Sequence, residues 1–255
     1  MANKRGQVTL YIIVGIIIVI LASLIIFNKQ LGLDQVVLPG RGLDFNPITE
    51  HIMDCTVEAA TLPIYEIALK GGSLSPASYR LYEGVTVSYL CYNMKDTPQC
   101  YNKMLTINNM EQELQDVINF NMLQCLNLNQ FNTLFGSDDV TWQGNPSSEV
   151  TIQNKNVQVK VILPVTLSDG QNTLTESEFI TNLNYPLGDL YEVSQDIIDV
   201  ETQFGEFDQL LYMLGKNGDY TIYKQRPYPD KIYKIKLRDG DLVFQFFVEG
   251  EPGVE

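Results

Sequence analysis

The sequence lacks the short motifs by which many enzymes are recognised. It has a single histidine, His51, and it contains neither the G-x-S-x-G element of serine hydrolases nor the glycine-rich loops that hold nucleotide phosphates. No close C-x-x-C pair is present, so the cysteines and His51 do not suggest a zinc site. The acidic stretch at residues 168–178 lacks the alternating carboxylates of an EF-hand calcium loop. We therefore expect a protein that is not an enzyme and that holds no metal and no cofactor.

Basic residues are also scarce. The chain has 17 lysines and arginines against 31 aspartates and glutamates, which gives a formal net charge of −14. A nucleic-acid-binding protein would show the reverse balance, so nucleic acid is not expected as a partner. The apolar fraction of 45% is that of ordinary folded proteins, and it argues against a disordered chain.

One long run near the N-terminus has no charged residue. It extends from Val8 to Phe27 and, at about 1.5 Å per residue, a helix of this length crosses the roughly 30 Å of a bilayer's hydrocarbon core. Lys4 and Arg5 precede the run, and an excess of cations favours the cytoplasmic side. The pattern predicts a signal anchor with a cytoplasmic N-terminus and an extracellular C-terminal domain, that is, a single-pass protein of the cell membrane with the lipid bilayer as a partner.

The remaining sequence divides by composition. After the apolar run, a stretch with three glycines and one proline shows little periodicity and predicts a stalk. The predicted organisation is a basic leader at 1–7, a transmembrane helix at 8–27, a stalk at 28–46, an ectodomain at 47–250 with a subdivision near 145, and a tail at 251–255.

The ectodomain mixes helical and strand-like periodicity. Helical spacing predicts helices from Ile48 to the glycines at 71 and 72, kinked or divided at Pro63, and at 109–131, 187–204 and 206–214. Alternating patterns predict strands at 83–94, 149–168 as two strands, 176–185, 231–237 and 241–248, the last two joined by a turn at Asp239 and Gly240. Helices and antiparallel strands without regular alternation predict an α+β fold after the transmembrane helix.

The four cysteines are candidates for two disulfides. Cys91 and Cys100 bracket a polar loop, so a bridge across its neck is geometrically natural, whereas Cys55 and Cys125 lie in helical patterns and would join two helices. Four buried thiols are the alternative. We favour the disulfides because the predicted topology places this domain on an oxidising side of the membrane.

Tyrosines are concentrated in two segments, 79–92 and 220–233. Exposed tyrosine makes good contact surface for a partner, but tyrosine also fits a half-buried strand without any further role, and this second interpretation is preferred. The residues concerned are Tyr79, Tyr82, Tyr89, Tyr92, Tyr220, Tyr223, Tyr228 and Tyr233.

The N-terminal string "KRGQVTLYIIVG" resembles the class III signal peptides of archaeal type IV pilin-like proteins. The resemblance implies cleavage between Gly6 and Gln7 by a prepilin peptidase, and it implies self-assembly through the apolar helix that remains. The later segments "LKGGSLS" and "YPLGDLYEVSQDI" are similar to an uncharacterised family of single-anchor surface proteins of small-genome archaea, and this similarity implies only the architecture.

These patterns lead to three functional hypotheses. The first is a membrane-anchored cell-surface protein whose non-catalytic ectodomain serves adhesion or assembly, as a pilin-like subunit or through an envelope partner. The second is a monomeric, membrane-tethered module that binds a ligand, and the third is a tethered hydrolase. Filament formation predicts removal of the residues up to Gly6, a binding module predicts a ligand-sized pocket, and a hydrolase predicts carboxylates with perturbed pKa values converging in a cleft.

Overall fold

The computed structural model describes residues 43–93, 100–126 and 139–250. The helices in these ranges are α1 (Asn46–Leu69), α2 (Ile107–Cys125), α3 (Leu187–Phe204) and α4 (Gln209–Gly215). The strands are β1 (Tyr79–Tyr82), β2 (Val85–Asn93), β3 (Cys100–Asn102), β4 (Asp139–Trp142), β5 (Ser147–Ile152), β6 (Val157–Ser168), β7 (Thr173–Leu183), β8 (Tyr220–Gln225), β9 (Lys231–Leu237) and β10 (Phe244–Val248). They belong to one compact unit that begins at Phe45. The predicted α+β class is therefore shown for this part of the chain.

The first sheet has six strands, and its centre is β10, the last of the described strands. The order is β1-β2-β10-β9-β8, with β3 also paired to β2. Most neighbours are antiparallel, but β10 pairs parallel with β2, with Phe247 opposite Tyr89. The sequence predicts antiparallel strands only, since hairpin signals report local pairs and a parallel pair between distant segments leaves no such signal.

The second sheet is built around the long strand β6. β5 pairs with its first half and β4 with its second half, while β7 runs along the other edge, all antiparallel. Side chains of β6 alternate between buried and half-buried along its whole length, and Val157, Val159 and Val161 are fully buried on the face that the sequence predicts. Residue 145, where a subdivision was predicted, lies between two strands of this one sheet.

Helix α1 lies between the two sheets and packs against α2. α1 also contacts β7 and β10, and α2 contacts β5. The packing follows from helical spacing, since α2 places an apolar residue at every fourth position on one face. These residues, Met110, Leu114, Ile118 and Met122, are all fully buried. α3 packs against the first sheet, on β2, β3, β9 and β10.

The end of α1 is fixed by two glycines, as the sequence predicts. Gly71 and Gly72 have φ angles of +78° and +90°, and the Gly72 N–H donates to the Ile67 carbonyl at 2.7 Å. A Cβ on Gly71 would lie 2.9 Å from the Gln245 carbonyl oxygen, so a side chain has no room there. The helix itself runs through Pro63 as one element and is not divided.

The predicted membrane-spanning architecture needs correction. Within the described ranges, no helix is both long enough and apolar enough to cross a bilayer. The physical reason is charge, since α1, α2 and α3 each carry at least three carboxylates. The fold is thus α+β without a described spanning helix, and the predicted signal anchor and single-pass membrane localisation are not supported. The run from Val8 to Phe27 on which they were based lies outside the described residues, as do the leader and most of the stalk.

Candidate functional site

A polar cleft of about 660 Å³ lies at the C-terminal end of α3. Its walls come from the end of α3, from the connection between β8 and β9, and from the residues that follow β10. Helix α3 stops here because Gly205 adopts a left-handed conformation, φ +73°, which turns the chain towards α4. The volume falls within the roughly 300–1,000 Å³ typical of ligand pockets.

The floor of the cleft holds a buried carboxylate, that of Glu201. The side chain of Glu201 is 1% exposed, and its Oε2 lies 2.6 Å from the Lys231 ammonium. Its Oε1 accepts hydrogen bonds from the Tyr233 hydroxyl and, at 3.1 Å, from the Phe207 backbone N–H. Because removing a charge from water costs several kcal/mol, a buried carboxylate must be compensated in this way. Burial and the Glu201 charge together raise the pKa of the Tyr233 hydroxyl well above its usual value.

Glu206 links this floor to the surface. Its carboxylate interacts with Lys224, Arg226 and Lys231, the last at 3.3 Å. Lys224 is itself only 8% exposed and also donates to the Phe207 carbonyl at 2.6 Å. Burial by itself would raise the pKa of Glu206, but the hydrogen bond from Lys224 and the charges of Lys231 and Lys224 outweigh it and hold that pKa below its usual range.

A second buried carboxylate, that of Asp230, lines the cleft and bonds to a residue of β2. Its Oδ2 accepts from the Arg80 guanidinium at 2.5 Å and from the Tyr89 hydroxyl at 2.7 Å, and its Oδ1 accepts from the Gly250 N–H at 3.2 Å. Burial, and then the hydrogen bond to Asp230, raise the pKa of Tyr89 to about 12. Asp230 therefore ties together β1, β2 and the end of the described chain.

The two tyrosines predict an alkaline loss of stability. A raised pKa means that the folded state keeps a proton that the unfolded chain releases near pH 10, so the contribution of these tyrosines to the free energy of unfolding should be constant below about pH 10 and fall above it. The contribution of Tyr89 should be lost between about pH 10 and 12. Replacing Tyr89 by phenylalanine should flatten this fall, whereas Tyr223→Phe, at an exposed position, should not. Denaturant unfolding at stepped pH measures both. Equal alkaline slopes for the two variants would contradict the assignment to Tyr89.

A second surface lies beside the cleft, on the short helix α4. The Asp208 carboxylate caps this helix by accepting from the N–H groups of Leu210 and Leu211, both at 3.0 Å. Leu210, Leu211 and Leu214 are 64%, 70% and 77% exposed, and no residue of α4 is buried. We call these three side chains the leucine face. A groove of about 650 Å³ lies between α4 and β8, and Leu210, Leu214, Met213 and Tyr220 are among its lining residues.

The cysteines named from the sequence form two disulfides. Cys55 of α1 is bonded to Cys125 of α2, and Cys91 of β2 is bonded to Cys100 of β3, with Cα–Cα distances of 5.7 and 5.3 Å. Cys100 also borders the cleft. No group of three or more histidine, cysteine or acidic side chains within the described ranges is arranged to hold a metal ion. The predicted processing residues, Gly6 and Gln7, lie outside these ranges.

The tyrosines of the two predicted segments have different surroundings in the fold. Tyr233 is buried beneath α3, and Tyr89 bonds to Asp230. Tyr79, Tyr223 and Tyr228 are more than half exposed, and Tyr228 lines the cleft.

The sequence did not single out the three acids of the cleft network, Glu201, Glu206 and Asp230, which are three among 31. The available signal was the helix pattern of 187–204, since Glu201 follows Ile197 by four residues and so falls on the same buried face.

No family model, no curated protein and no solved structure matches this chain. The resemblance to pilin-like proteins therefore stays a prediction.

Proposed function

We propose that this protein is a non-catalytic assembly module that associates with a second copy of itself through the leucine face of α4. The observation that carries the proposal is the exposure of Leu210, Leu211 and Leu214, all on the outward side of one short helix. Single exposed leucines are common on protein surfaces, but a contiguous apolar group marks an interaction site. Burying these leucines against a partner would stabilise the complex, since removing each side chain from water contributes about 1.5–3 kcal/mol of favourable free energy.

The charges around the leucine face favour a second copy as the partner. Asp208 precedes α4 and Lys216 follows it, so the helix has opposite charges at its two ends. A two-fold axis across the face would place two α4 helices antiparallel and bring Asp208 of each copy towards Lys216 of the other. The helix dipoles would also oppose each other favourably. The groove between α4 and β8 offers space for leucine side chains of the second copy.

Three of the cleft carboxylates are paired with lysine and arginine side chains, which supports a function without catalysis. A general acid or base near neutral pH needs a carboxyl group whose pKa is raised towards 7. The pKa of Glu206, the more exposed carboxylate of the cleft network, is shifted in the opposite direction by Lys224 and Lys231. The buried carboxylates Glu201 and Asp230 are each engaged by a cation and by a tyrosine hydroxyl.

Photo-crosslinking in cells that make the full chain tests the assembly. A benzophenone amino acid at position 214 should give a product of twice the chain mass, with the crosslink mapped by mass spectrometry to residues 208–216 of the second copy. Adding Leu211→Asp should lower the yield at least about tenfold, because it buries an unpaired charge in the contact. The matched control is Leu62 of α1, which is 65% exposed.

The control separates the leucine face from association elsewhere. The photo-reactive residue at position 62 should give little dimer, and Leu62→Asp should leave the yield at position 214 unchanged. A crosslink from position 214 to lipid or to an unrelated protein, or a dimer that survives Leu211→Asp, would overturn the proposal of a second copy at this face.

A further inference from the structure

The charges around the cleft at the end of α3 are balanced. Four carboxylates of the described residues line it, and four cations lie at or beside it. The carboxylates are Glu201, Glu206, Asp230 and Glu249, and the cations are Arg80, Lys224, Arg226 and Lys231. Three of the carboxylates contact these cations directly, and Glu249 accepts from the Asn93 N–H at 2.6 Å. The site therefore selects neither an anion nor a cation.

Two aromatic rings stand at the same cleft with most of their surface in water. Phe204 is 75% exposed and Tyr228 is 77% exposed, and both line the cleft. Phe204 closes α3 and Tyr228 lies in the connection between β8 and β9, so the rings come from different elements. An exposed aromatic ring offers a flat apolar surface at low conformational cost, which is why aromatic residues are enriched at binding sites.

Polar side chains of the same cleft can still form hydrogen bonds. Arg226 is 63% exposed and interacts with Glu206 through one terminal nitrogen, although a guanidinium has five N–H donors. The exposed amide of Gln203 and the carboxylate of Glu249 supply further donors and acceptors. The cleft thus combines planar hydrogen-bond donors and acceptors with the flat apolar surfaces of two aromatic rings.

We propose that this cleft binds a neutral, hydroxyl-rich ligand, which is the chemistry of a saccharide. Each sugar hydroxyl can both donate and accept, so it can bond to the carboxylate, amide and guanidinium groups of the cleft, and the C–H faces of a pyranose ring match Phe204 and Tyr228. An apolar ligand would leave the charged groups of the walls unsolvated. This site is separate from the leucine face and does not depend on the proposed assembly.

Titration calorimetry of the full chain with defined saccharides tests this site. The probes are maltotriose, mannotriose and the trisaccharide of N-acetylglucosamine, with inorganic phosphate as the charged comparison. We expect at least one trisaccharide to bind with a Kd of about 1 mM or below, and phosphate not to bind. Tyr228→Ala and Phe204→Ala should each weaken saccharide binding about fivefold to tenfold. The matched control is Tyr223→Ala, which removes a 56% exposed tyrosine of β8 that does not line the cleft.

A further variant separates a loss of saccharide binding from a general loss of folding. Glu249→Gln keeps the shape of the side chain and should weaken saccharide binding while leaving the thermal unfolding temperature near that of the original chain. The proposal is overturned if none of the three saccharides binds, if phosphate binds more tightly than all of them, or if Tyr228→Ala and Tyr223→Ala have the same effect. The outcome is independent of whether the leucine face forms a dimer.

Discussion

Replacing Glu201 by alanine is expected to lower the free energy of unfolding by about 3 kcal/mol, because it leaves the buried Tyr233 hydroxyl without its acceptor. It also takes from the Lys231 ammonium the nearer of its two carboxylate partners, and Glu206 at 3.3 Å remains. Lys231 is 15% exposed and Tyr233 is fully buried, so water cannot easily replace the lost carboxylate. Urea unfolding followed by circular dichroism measures the change.

Two further variants separate the charge from the hydrogen bonds. Glu201→Gln retains an acceptor for Tyr233 and Phe207 but loses the charge beside Lys231, so its loss should be smaller than that of the alanine variant. Asp199→Ala removes an exposed carboxylate from the same helix and should stay within about 0.5 kcal/mol of the original chain. A Glu201→Ala variant as stable as Asp199→Ala would show that the buried network contributes no net stability.

Removing the disulfide between α1 and α2 should have a similarly large effect. The bond between Cys55 and Cys125 closes a loop with a sequence separation of 70 residues. Loop-closure entropy then predicts that the double substitution to alanine costs about 4 kcal/mol. Thermal or urea unfolding of the double variant under non-reducing conditions measures this loss.

The second disulfide is the natural comparison. Cys91 and Cys100 are only 9 residues apart, so their removal should cost about 2.5 kcal/mol by the same relation. The order of the two losses is the informative result. A larger loss for the short loop would mean that local packing of β2 and β3 outweighs the entropy of the unfolded chain.

Local patterns were sufficient to predict much of the secondary structure. Helix α3 was predicted at 187–204 and is found there, because its apolar spacing is regular and a left-handed glycine ends it. Helix α2 starts at Ile107, two residues before its predicted start, because Thr106 caps it by accepting from the Asn109 N–H. Strand β1 was not predicted, since it has only four residues, none of them buried, and its sequence YRLY does not alternate regularly between apolar and polar side chains.

The cleft and the leucine face could not be predicted in the same way. Glu201, Lys231 and Asp230 meet only because α3 packs on β9 and because β9 and β10 pair beside β2. Such a juxtaposition of distant segments leaves no periodic signal in one sequence. The leucines of α4 do follow a helical pattern, but the same pattern describes a buried helix, and only the fold shows that the face points outwards.

The central position of β10 has a consequence for how the chain folds. This strand pairs with β2 on one side and β9 on the other, and it follows both of them along the chain. During synthesis the first sheet therefore lacks its middle until all its other strands have left the ribosome, whereas β5, β6 and β7 are consecutive and can pair early. Since distant contacts slow folding, joining β2 to β10 is the expected slow step, and a nascent chain that ends before β10 would expose both sheet edges to aggregation.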